Sequence, residues 1–276
     1  MKPAPFDYIR AETCEEALAA LSEHGDAARI LAGGQSLLPM LNMRLATPSI
    51  LVDTSRLGRS AQIRAQGDSV EIEAGVSQAR LLGWSGLAEA LPLFAKALPW
   101  VGHAQTRARG TVCGSVAHAD PSAEIPLCLA VLGGEIVLST RRKSRRVGSG
   151  DFHIGMMMTG RRNDEMLTAL RLPQARPGEG YGFAEYGRRH GDFAVVACAA
   201  KVTADSITLG VGGVGDTPVV MHWDALAGSA LDDALNACAW SLGARDDVQA
   251  DARMRRDLVR GLGRRAIDTA RQGIAE

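Results

Sequence analysis

The chain contains the stretch RILAGGQSLLPMLNM at residues 29–43, in which a short apolar run is followed by two adjacent glycines. The run Arg29–Leu31 predicts a buried strand, and residues 39–43 predict a short helical turn. Adjacent glycines allow positive φ and a close approach of backbone to ligand. Ser36 and the start of a helix can direct N–H groups at an anion. The stretch therefore predicts an anion-binding turn, although an ordinary strand–turn–helix corner explains it equally well when it is taken alone.

Composition restricts the classes of protein that fit this sequence. The chain has 276 residues, with 46% hydrophobic, 22% charged and a formal net charge of zero. This length suits two domains, and a neutral chain has no general attraction for nucleic acid or an acidic membrane. The N-terminus lacks the apolar run of an export signal, and no segment is apolar over the roughly 18 residues that span a bilayer. We expect a cytoplasmic protein without a membrane span or a nucleic-acid partner.

The cysteines agree with a reducing compartment. They are odd in number, widely spaced and never arranged as CxxC. This pattern argues against a disulfide framework and against a zinc or iron–sulfur site made by this chain alone.

Residues 1 to about 55 predict a small βαβ unit that carries the glycine turn at a strand end. Phe6–Arg10 predicts an edge strand. Thr13 and Glu16 fit the capping box of a helix that Gly25 ends. Ile50–Asp53 predicts another buried strand, and ligands of α/β folds bind at such strand ends.

Residues 56–173 predict a second subdomain with alternating strands and helices. Strict alternation over Val70–Glu73 predicts a strand with one solvated face, and Ser77 can cap the helix that follows. Further helices are predicted over Leu87–Leu98 and Ile125–Leu132. The remaining strands are Glu135–Leu138 and Met166–Leu172, and the Arg-rich run at 141–146 predicts a solvated hairpin or loop.

A stretch rich in proline and glycine, Pro173–Gly180, predicts a linker. Strands are predicted over Tyr181–Arg188, Ala194–Thr203 and Ser206–Leu209, and helical spacing begins near Leu226. We therefore expect two domains, at residues 1–173 and 178–276, of which the second combines a small antiparallel sheet with helices.

A second stretch of small and polar residues, RARGTVCGSVAHADP at 107–121, precedes a predicted helix. Its glycines allow close backbone approach, and Thr111 and Ser115 add hydroxyl groups. Together with the first turn it gives one domain two backbone cradles, which suits a long dinucleotide better than a single phosphate.

The sequences AGGQSLLPMLNMRLATPSILVD (32–53) and RGTVCGSVAHADPSAEIP (109–126) resemble the two FAD-binding motifs of the medium subunits of molybdenum hydroxylases, such as carbon monoxide dehydrogenase and quinoline oxidoreductase, and the equivalent domain of xanthine dehydrogenase. The resemblance covers essentially the whole chain. It implies an α+β fold, with a two-subdomain FAD-binding domain of the vanillyl-alcohol-oxidase (PCMH) type followed by the small C-terminal domain.

The resemblance also implies the residues of the site. The first motif would hold the FAD pyrophosphate through backbone N–H groups, the second would complete the clasp, and Glu124 would lie near the ribityl hydroxyls. The residues implied are Ala32, Gly33, Gly34, Gln35, Ser36, Leu37, Gly110, Thr111, Gly114, Ser115, Ala117, His118, Glu124, Leu167 and Phe193.

Two of these positions differ from the family pattern. Glu124 replaces the usual Asp, so a longer side chain would make the contact with the ribityl chain. Cys113 stands where the family pattern Thr-x-Gly-Gly has a glycine. A Cβ at positive φ costs about 1–2 kcal/mol, so we expect either a relaxed φ at Cys113 or a shifted loop.

The C-terminal domain contributes a further implied contact. Tyr186–Phe193 matches the family segment that approaches the flavin, where an aromatic side chain at Phe193 would cover the flat ring. The alternative is that Phe193 begins a core strand. Met166 and Leu167 match a segment whose backbone passes the flavin edge.

Three other patterns suggest chemistry but are better explained otherwise. Gly210–Gly215 spells GxGxxG, yet a proline and β-branched residues follow instead of a helix, which argues against a Rossmann turn. His103, His118 and His153 lack ligand spacing, and we expect His118 to be a polar neighbour of the flavin. Met156–Met158 predicts a packing patch of a helix or loop and not a soft-metal site.

The sequence lacks a recognisable acid/base pair for a substrate, a molybdopterin domain and a cluster motif. The resemblance implies an electron-transfer subunit of a dimer of heterotrimers, with FAD in this chain, molybdopterin in a large subunit, 2Fe–2S clusters in a small subunit and an external electron acceptor. The alternatives are a self-contained FAD oxidase or reductase of the same fold and a scaffold that has lost flavin.

Overall fold

The computed structural model describes residues 2–275, and the first of its sheets has three parallel strands. They are β1 (Asp7–Arg10), β2 (Ala28–Leu31) and β3 (Ile50–Asp53), in the order β1-β3-β2. Helix α1 (Cys14–His24) connects β1 to β2, and α2 (Leu37–Asn42) follows the first glycine turn. The predicted βαβ unit and its edge strand are confirmed.

The predicted start and end of α1 are also confirmed. The Thr13 hydroxyl accepts a hydrogen bond from the Glu16 N–H at 3.2 Å. The return bond reaches one residue further than a capping box requires, because Glu16 Oε2 accepts from the Glu12 N–H at 2.7 Å. Gly25, with φ +50°, ends the helix. Three apolar residues of one helix face are buried, namely Ala17, Leu18 and Leu21.

The second sheet has five antiparallel strands in the order β4-β5-β10-β6-β7, which are β4 (Ile63–Gln66), β5 (Ser69–Glu73), β6 (Glu135–Ser139), β7 (Ser144–Gly148) and β10 (Met166–Pro173). Burial alternates along β5, as the sequence predicts. The Arg-rich run forms the predicted hairpin between β6 and β7. Between β7 and β10 the chain forms a small separate hairpin of β8 (His153–Gly155) and β9 (Met158–Thr159).

Seven short helices accompany this sheet in the described part of the chain. They are α3 (Gln78–Leu82), α4 (Leu87–Ala90), α5 (Pro92–Ala97), α6 (Ala104–Arg109), α7 (Val112–His118), α8 (Glu124–Val131) and α9 (Ser149–Phe152). The prediction of one helix over Leu87–Leu98 is wrong. Leu91 leaves the helical region (φ −135°, ψ 61°) because the ring of Pro92 disfavours helical backbone at the residue before it.

The C-terminal part is the predicted antiparallel sheet followed by helices. Its strands pair in chain order and are β11 (Gly180–Tyr186), β12 (Val196–Val202), β13 (Ser206–Gly212) and β14 (Val219–Asp224). The long helix α11 (Ala252–Ala275), preceded by α10 (Gly228–Ser241), packs closely on β11. Gly182 permits that approach, because a Cβ there would overlap the Ala266 carbonyl oxygen.

The two faces of β11 belong to different cores. Tyr181 and Phe183 pack into the core of the second sheet, together with Phe94 and Leu127. Ala184 packs into the core beneath α10 and α11. Among residues 2–275, no helix has both the length and the apolar character needed to cross a bilayer.

Candidate functional site

The structure brings the two predicted glycine turns into direct contact. A Cβ at Gly33 would overlap the Arg109 carbonyl oxygen and would lie 2.8 Å from Gly110 Cα. The Cβ of Ala32 lies 3.9 Å from the point that a Cβ at Gly114 would occupy. The two turns, far apart in sequence, are therefore adjacent walls of one site.

The first turn depends on its glycines and on backbone hydrogen bonds. Gly34 has φ +72°, a conformation that glycine adopts without strain. The Leu38 N–H donates to the Gly34 carbonyl at 3.1 Å, and the Gln35 side-chain amide donates to the Gly33 carbonyl at 3.2 Å. Ser36 is the N-cap of α2 without a side-chain capping bond, and Leu37 begins the helix.

The second turn is held by a helix cap. Thr111 is the N-cap of α7, and its Oγ1 accepts a hydrogen bond from the Gly114 N–H at 2.9 Å. A Cβ at Gly114 would lie 2.5 Å from that same oxygen, so the cap requires a glycine. The turn is tied to the segment after β5, since Val112 N–H donates to Val76 O (3.0 Å) and Gln78 N–H donates to Gly110 O (2.8 Å).

Cys113 adopts the relaxed alternative predicted for it. It lies in the first turn of α7, its φ is not positive, and its side chain is buried. The thiol lies 3.6 Å from the Ile72 carbonyl oxygen, and burial raises its pKa. A glycine is therefore not required at this position for conformational reasons.

A cleft of about 350 Å³ opens beside the contact between the turns. Three of the predicted residues line it, namely Ala32, Gly33 and Thr111. Sequence reasoning missed the others, which come from the segments after β3 and β5, from α3 and from α6. They are Thr54, Ser55, Gly58, Ala74, Gly75, Ser77, Arg80, Ala108 and Arg109.

Thr54 and Ser55 could have been predicted from the sequence, because they directly follow the parallel strand β3 and ligands of such sheets bind at the carboxyl ends of the strands. Arg80 and Arg109 bring two cationic groups to the cleft, and Arg80 also donates to the Gly58 carbonyl at 3.2 Å. Glycine backbone, hydroxyls and guanidinium groups are the donor set that a pyrophosphate requires. The cleft therefore fits the phosphate part of FAD.

The rest of α7 lies next to the cleft. Ser115 is half-buried, Ala117 is exposed, and neither lines the cleft. Burial lowers the pKa of His118, with the Asp120 carboxylate acting against this shift and Arg29 adding to it. A neutral imidazole agrees with a polar neighbour of a cofactor, the role predicted for His118.

Glu124, Leu167 and Phe193 lie outside this cleft. Glu124 begins α8 and is buried. Leu167 is buried in β10, where it pairs with Leu138 of β6. Phe193 lies in the loop before β12 and is 55% exposed, so the alternative that it begins a core strand is wrong. Covering the flavin ring remains the predicted role of Phe193.

Two of the remaining patterns are resolved by the fold. Gly210 to Gly212 end β13, and the chain turns into β14 without a helix, which confirms that GxGxxG is not a Rossmann turn here. Met156–Met158 form the exposed tip of the β8–β9 hairpin, so the prediction of a packing patch is wrong. Among residues 2–275 there is no group of three or more His, Cys, Asp or Glu placed to hold a metal ion.

These features define a nucleotide-binding protein of mixed helix and sheet. The model of the FAD-binding domain in molybdopterin dehydrogenase matches residues 4–175, and that of the CO dehydrogenase flavoprotein C-terminal domain matches residues 181–270. The chain belongs to the FAD-binding medium subunits of the molybdenum hydroxylases, and FAD is its cofactor.

Similar proteins span essentially the whole chain. Caffeine dehydrogenase subunit beta from Pseudomonas sp. (strain CBB1) is 33% identical, covering 99% of this chain and 97% of the relative. The carbon monoxide dehydrogenase medium chain of Afipia carboxidovorans is 32% identical and covers 98% of each. The structure of quinoline 2-oxidoreductase from Pseudomonas putida 86 superposes with a TM-score of 0.93 at 30% identity, covering 100% of both chains.

Proposed function

We propose that this chain is the FAD-carrying electron-transfer subunit of a heterotrimeric molybdenum hydroxylase. It accepts electrons from the 2Fe–2S clusters of a small subunit, after a large molybdopterin subunit has hydroxylated the substrate, and passes them to an external acceptor. FAD supplies this chemistry when bound, since a flavin exchanges electrons singly or in pairs. The complex assembles as a dimer of heterotrimers in the cytoplasm.

The observation that carries this proposal is the contact between the two glycine turns beside a cleft with two arginines. In this assignment the backbone of Ala32–Ser36 and of Thr111–Ser115 holds the pyrophosphate from two sides. Arg80 and Arg109 balance its charge, which strengthens hydrogen bonds to phosphate. The chain's own role is to bind the cofactor and fix its position.

The partners are proposed from the names of the relatives. Several are described as medium chains or subunits, including the medium subunit of nicotine 6-hydroxylase. One similar structure is a carbon monoxide dehydrogenase from Hydrogenophaga pseudoflava that lacks the Mo-pyranopterin moiety of its molybdenum cofactor, so a molybdenum cofactor belongs to that enzyme. Since the relatives are named for substrates as different as carbon monoxide, caffeine, nicotine and glyceraldehyde, we assign substrate choice to the large subunit.

The division into units at residues 1–173 and 178–276 belongs to the same proposal, with residues 1–55 and 56–173 as subdomains of the first. The five cysteines are all free thiols in the structure, which agrees with a reducing compartment.

The experiment is to purify the chain alone and in complex with its two partner subunits. We expect flavin absorbance in both samples, and substrate-dependent reduction of an artificial electron acceptor only in the complex. A flavin-free chain would favour the scaffold, and turnover of a candidate substrate by the chain alone would favour a self-contained oxidase. Either result would overturn the proposed relay.

A further inference from the structure

A buried arginine of the C-terminal part joins segments that lead to the cofactor site. Arg255 lies in the first turn of α11 and is only 5% exposed. A guanidinium group is rarely buried to this extent unless it is paired, and a buried polar group is costly unless it makes hydrogen bonds. The partners of Arg255 therefore show what this burial achieves.

The guanidinium group binds three segments at once. Its Nη1 donates to the Val195 carbonyl at 2.8 Å and to the Gly213 carbonyl at 2.7 Å. Its Nη2 donates to the Asp247 carboxylate at 2.5 Å. Val195 directly precedes β12, and Gly213 directly follows β13. One side chain thus satisfies two carbonyl groups from the ends of neighbouring strands.

The first of these carbonyl groups lies at the base of the loop that carries Phe193. This Phe193 loop, residues 187–194, connects β11 to β12. The Val195 N–H closes it by donating to the Tyr186 carbonyl at 2.8 Å. Because the side chain of Phe193 is 55% exposed, its own packing does little to hold the loop. The position of Phe193 therefore depends on how the base of the loop is fixed.

The second carbonyl group belongs to a residue that touches the second FAD motif. The Gly213 N–H donates to the Pro121 carbonyl at 2.8 Å, and Pro121 ends the stretch of small and polar residues at 107–121. Gly213 has φ +83°, and a Cβ there would lie 2.8 Å from the Val195 carbonyl oxygen. Both features require glycine. A glycine inside the GxGxxG pattern thus serves this contact instead of a Rossmann turn.

We propose that Arg255 is a positioning residue of the flavin site, which fixes the Phe193 loop relative to the second FAD motif through the Val195 and Gly213 carbonyl groups. Arginine suits this role because its planar fork of donors binds several acceptors in a fixed geometry. Arg255 does not line the cleft and acts through Phe193. The inference rests on the proposed function and on the predicted role of Phe193 as cover for the flavin ring.

The first test measures amide hydrogen exchange of the full chain without FAD. Arg255→Met keeps a long side chain but leaves two buried carbonyl groups without their donor. We expect peptides that cover residues 187–196 and 210–216 to exchange about tenfold faster, because a lost buried partner favours local opening.

The matched control for this test is Arg260→Met. Arg260 is a partly exposed arginine of the same helix that pairs with Asn236 and Asp257. Both peptides should keep wild-type exchange rates in this variant. Wild-type exchange in Arg255→Met would show that the guanidinium does not hold the loop and would overturn the proposal.

The second test measures FAD binding by the chain in complex with its partner subunits, after removal of the flavin. We expect Arg255→Met and Phe193→Ala each to weaken binding about tenfold, and the double variant to bind no more weakly than either, because Arg255 acts through Phe193. The visible circular dichroism of the bound flavin should change in the same way in both single variants. Effects on affinity that add would contradict the positioning role.

Gly213→Ala breaks the same link while Arg255 stays intact, so it tests the inference even where Arg255→Met does not fold. It should speed exchange in residues 187–196 and weaken FAD binding about tenfold, because the new Cβ pushes the Val195 carbonyl away. Gly228→Ala is the matched control, since Gly228 has φ +55° with nothing within 4 Å of a Cβ. If both variants behave alike, backbone strain explains the result and the inference is wrong.

The outcomes separate this inference from the proposed function. A wild-type complex that binds no FAD would contradict the proposed function and, with it, the positioning role. FAD binding by the wild type, with equal affinity in Arg255→Met and Gly213→Ala, would leave the proposed function intact and contradict only the role of Arg255.

Discussion

The two glycine turns that meet at the cleft depend on their glycines for different physical reasons. The first turn has glycine at both of its central positions. Gly33 allows the backbone of the second turn to approach closely, and Gly34 has a positive φ. The second turn tolerates Cys113 in the first turn of α7 and needs its glycine only at Gly114, beside the Thr111 cap. A glycine in such a turn can therefore serve close approach, positive φ or helix capping, and each role predicts a different sensitivity to substitution.

The largest effect on FAD binding is expected at the close approach. Gly33→Ala places a Cβ on the Arg109 carbonyl, and the two turns must separate, at a cost of about 1–3 kcal/mol for overpacking. We expect flavin-free protein, measured as the ratio of flavin to chain after purification. Gly150→Ala is the control, since nothing lies within 4 Å of a Cβ there. Normal flavin content in Gly33→Ala would refute the proposal that the two turns together hold the FAD pyrophosphate.

A smaller effect is expected at Gly34, where backbone conformation is the constraint. An alanine at φ +72° costs about 1–2 kcal/mol, and its nearest neighbour is the flexible Leu38 side chain. Flavin content should fall only in part. Gly67→Ala carries the same kind of strain (φ +61°) away from the cleft and should lower stability to urea without loss of flavin. If both variants lose flavin equally, global destabilisation explains the result.

Thr111→Val tests the cap of the second turn. Loss of the hydroxyl should cost about 1 kcal/mol of unfolding free energy, and the loosened turn should weaken FAD binding less than Gly34→Ala does. Thr13→Val removes an equivalent cap from α1, outside the cleft. Titration with FAD should separate the two variants, and equal affinities would show that the Thr111 cap does not support the site.

The smallest effect on FAD binding is expected at Cys113. Cys113→Gly restores the family pattern, and we expect unchanged FAD affinity because the residue is helical and its side chain is buried away from the cleft. Stability should fall by about 1 kcal/mol, since glycine is a poor helix former. Tighter FAD binding by this variant would show that the thiol perturbs the turn.

Local features of the chain were predictable wherever neighbouring residues decide them. The Thr13 cap, the alternating strand β5 and the absence of a helix after Gly215 each depend on a few adjacent residues. The single helix predicted over Leu87–Leu98 is interrupted at Leu91, because Pro92 disfavours helical backbone there despite the apolar pattern around it. The packing patch predicted for Met156–Met158 was wrong for a different reason. Apolar side chains are buried only where another part of the fold covers them, and the sequence does not show which part would do so.

The sequence by itself determined the two glycine turns, most of the strands and the family, because these depend on residue types at fixed spacing. Only the tertiary structure decided that Gly33 touches Arg109 and Gly110, and that Arg80 and Ser77 line the cleft beside them. Those contacts join segments far apart in the chain. No local pattern records them, since they follow from how the sheets and helices pack.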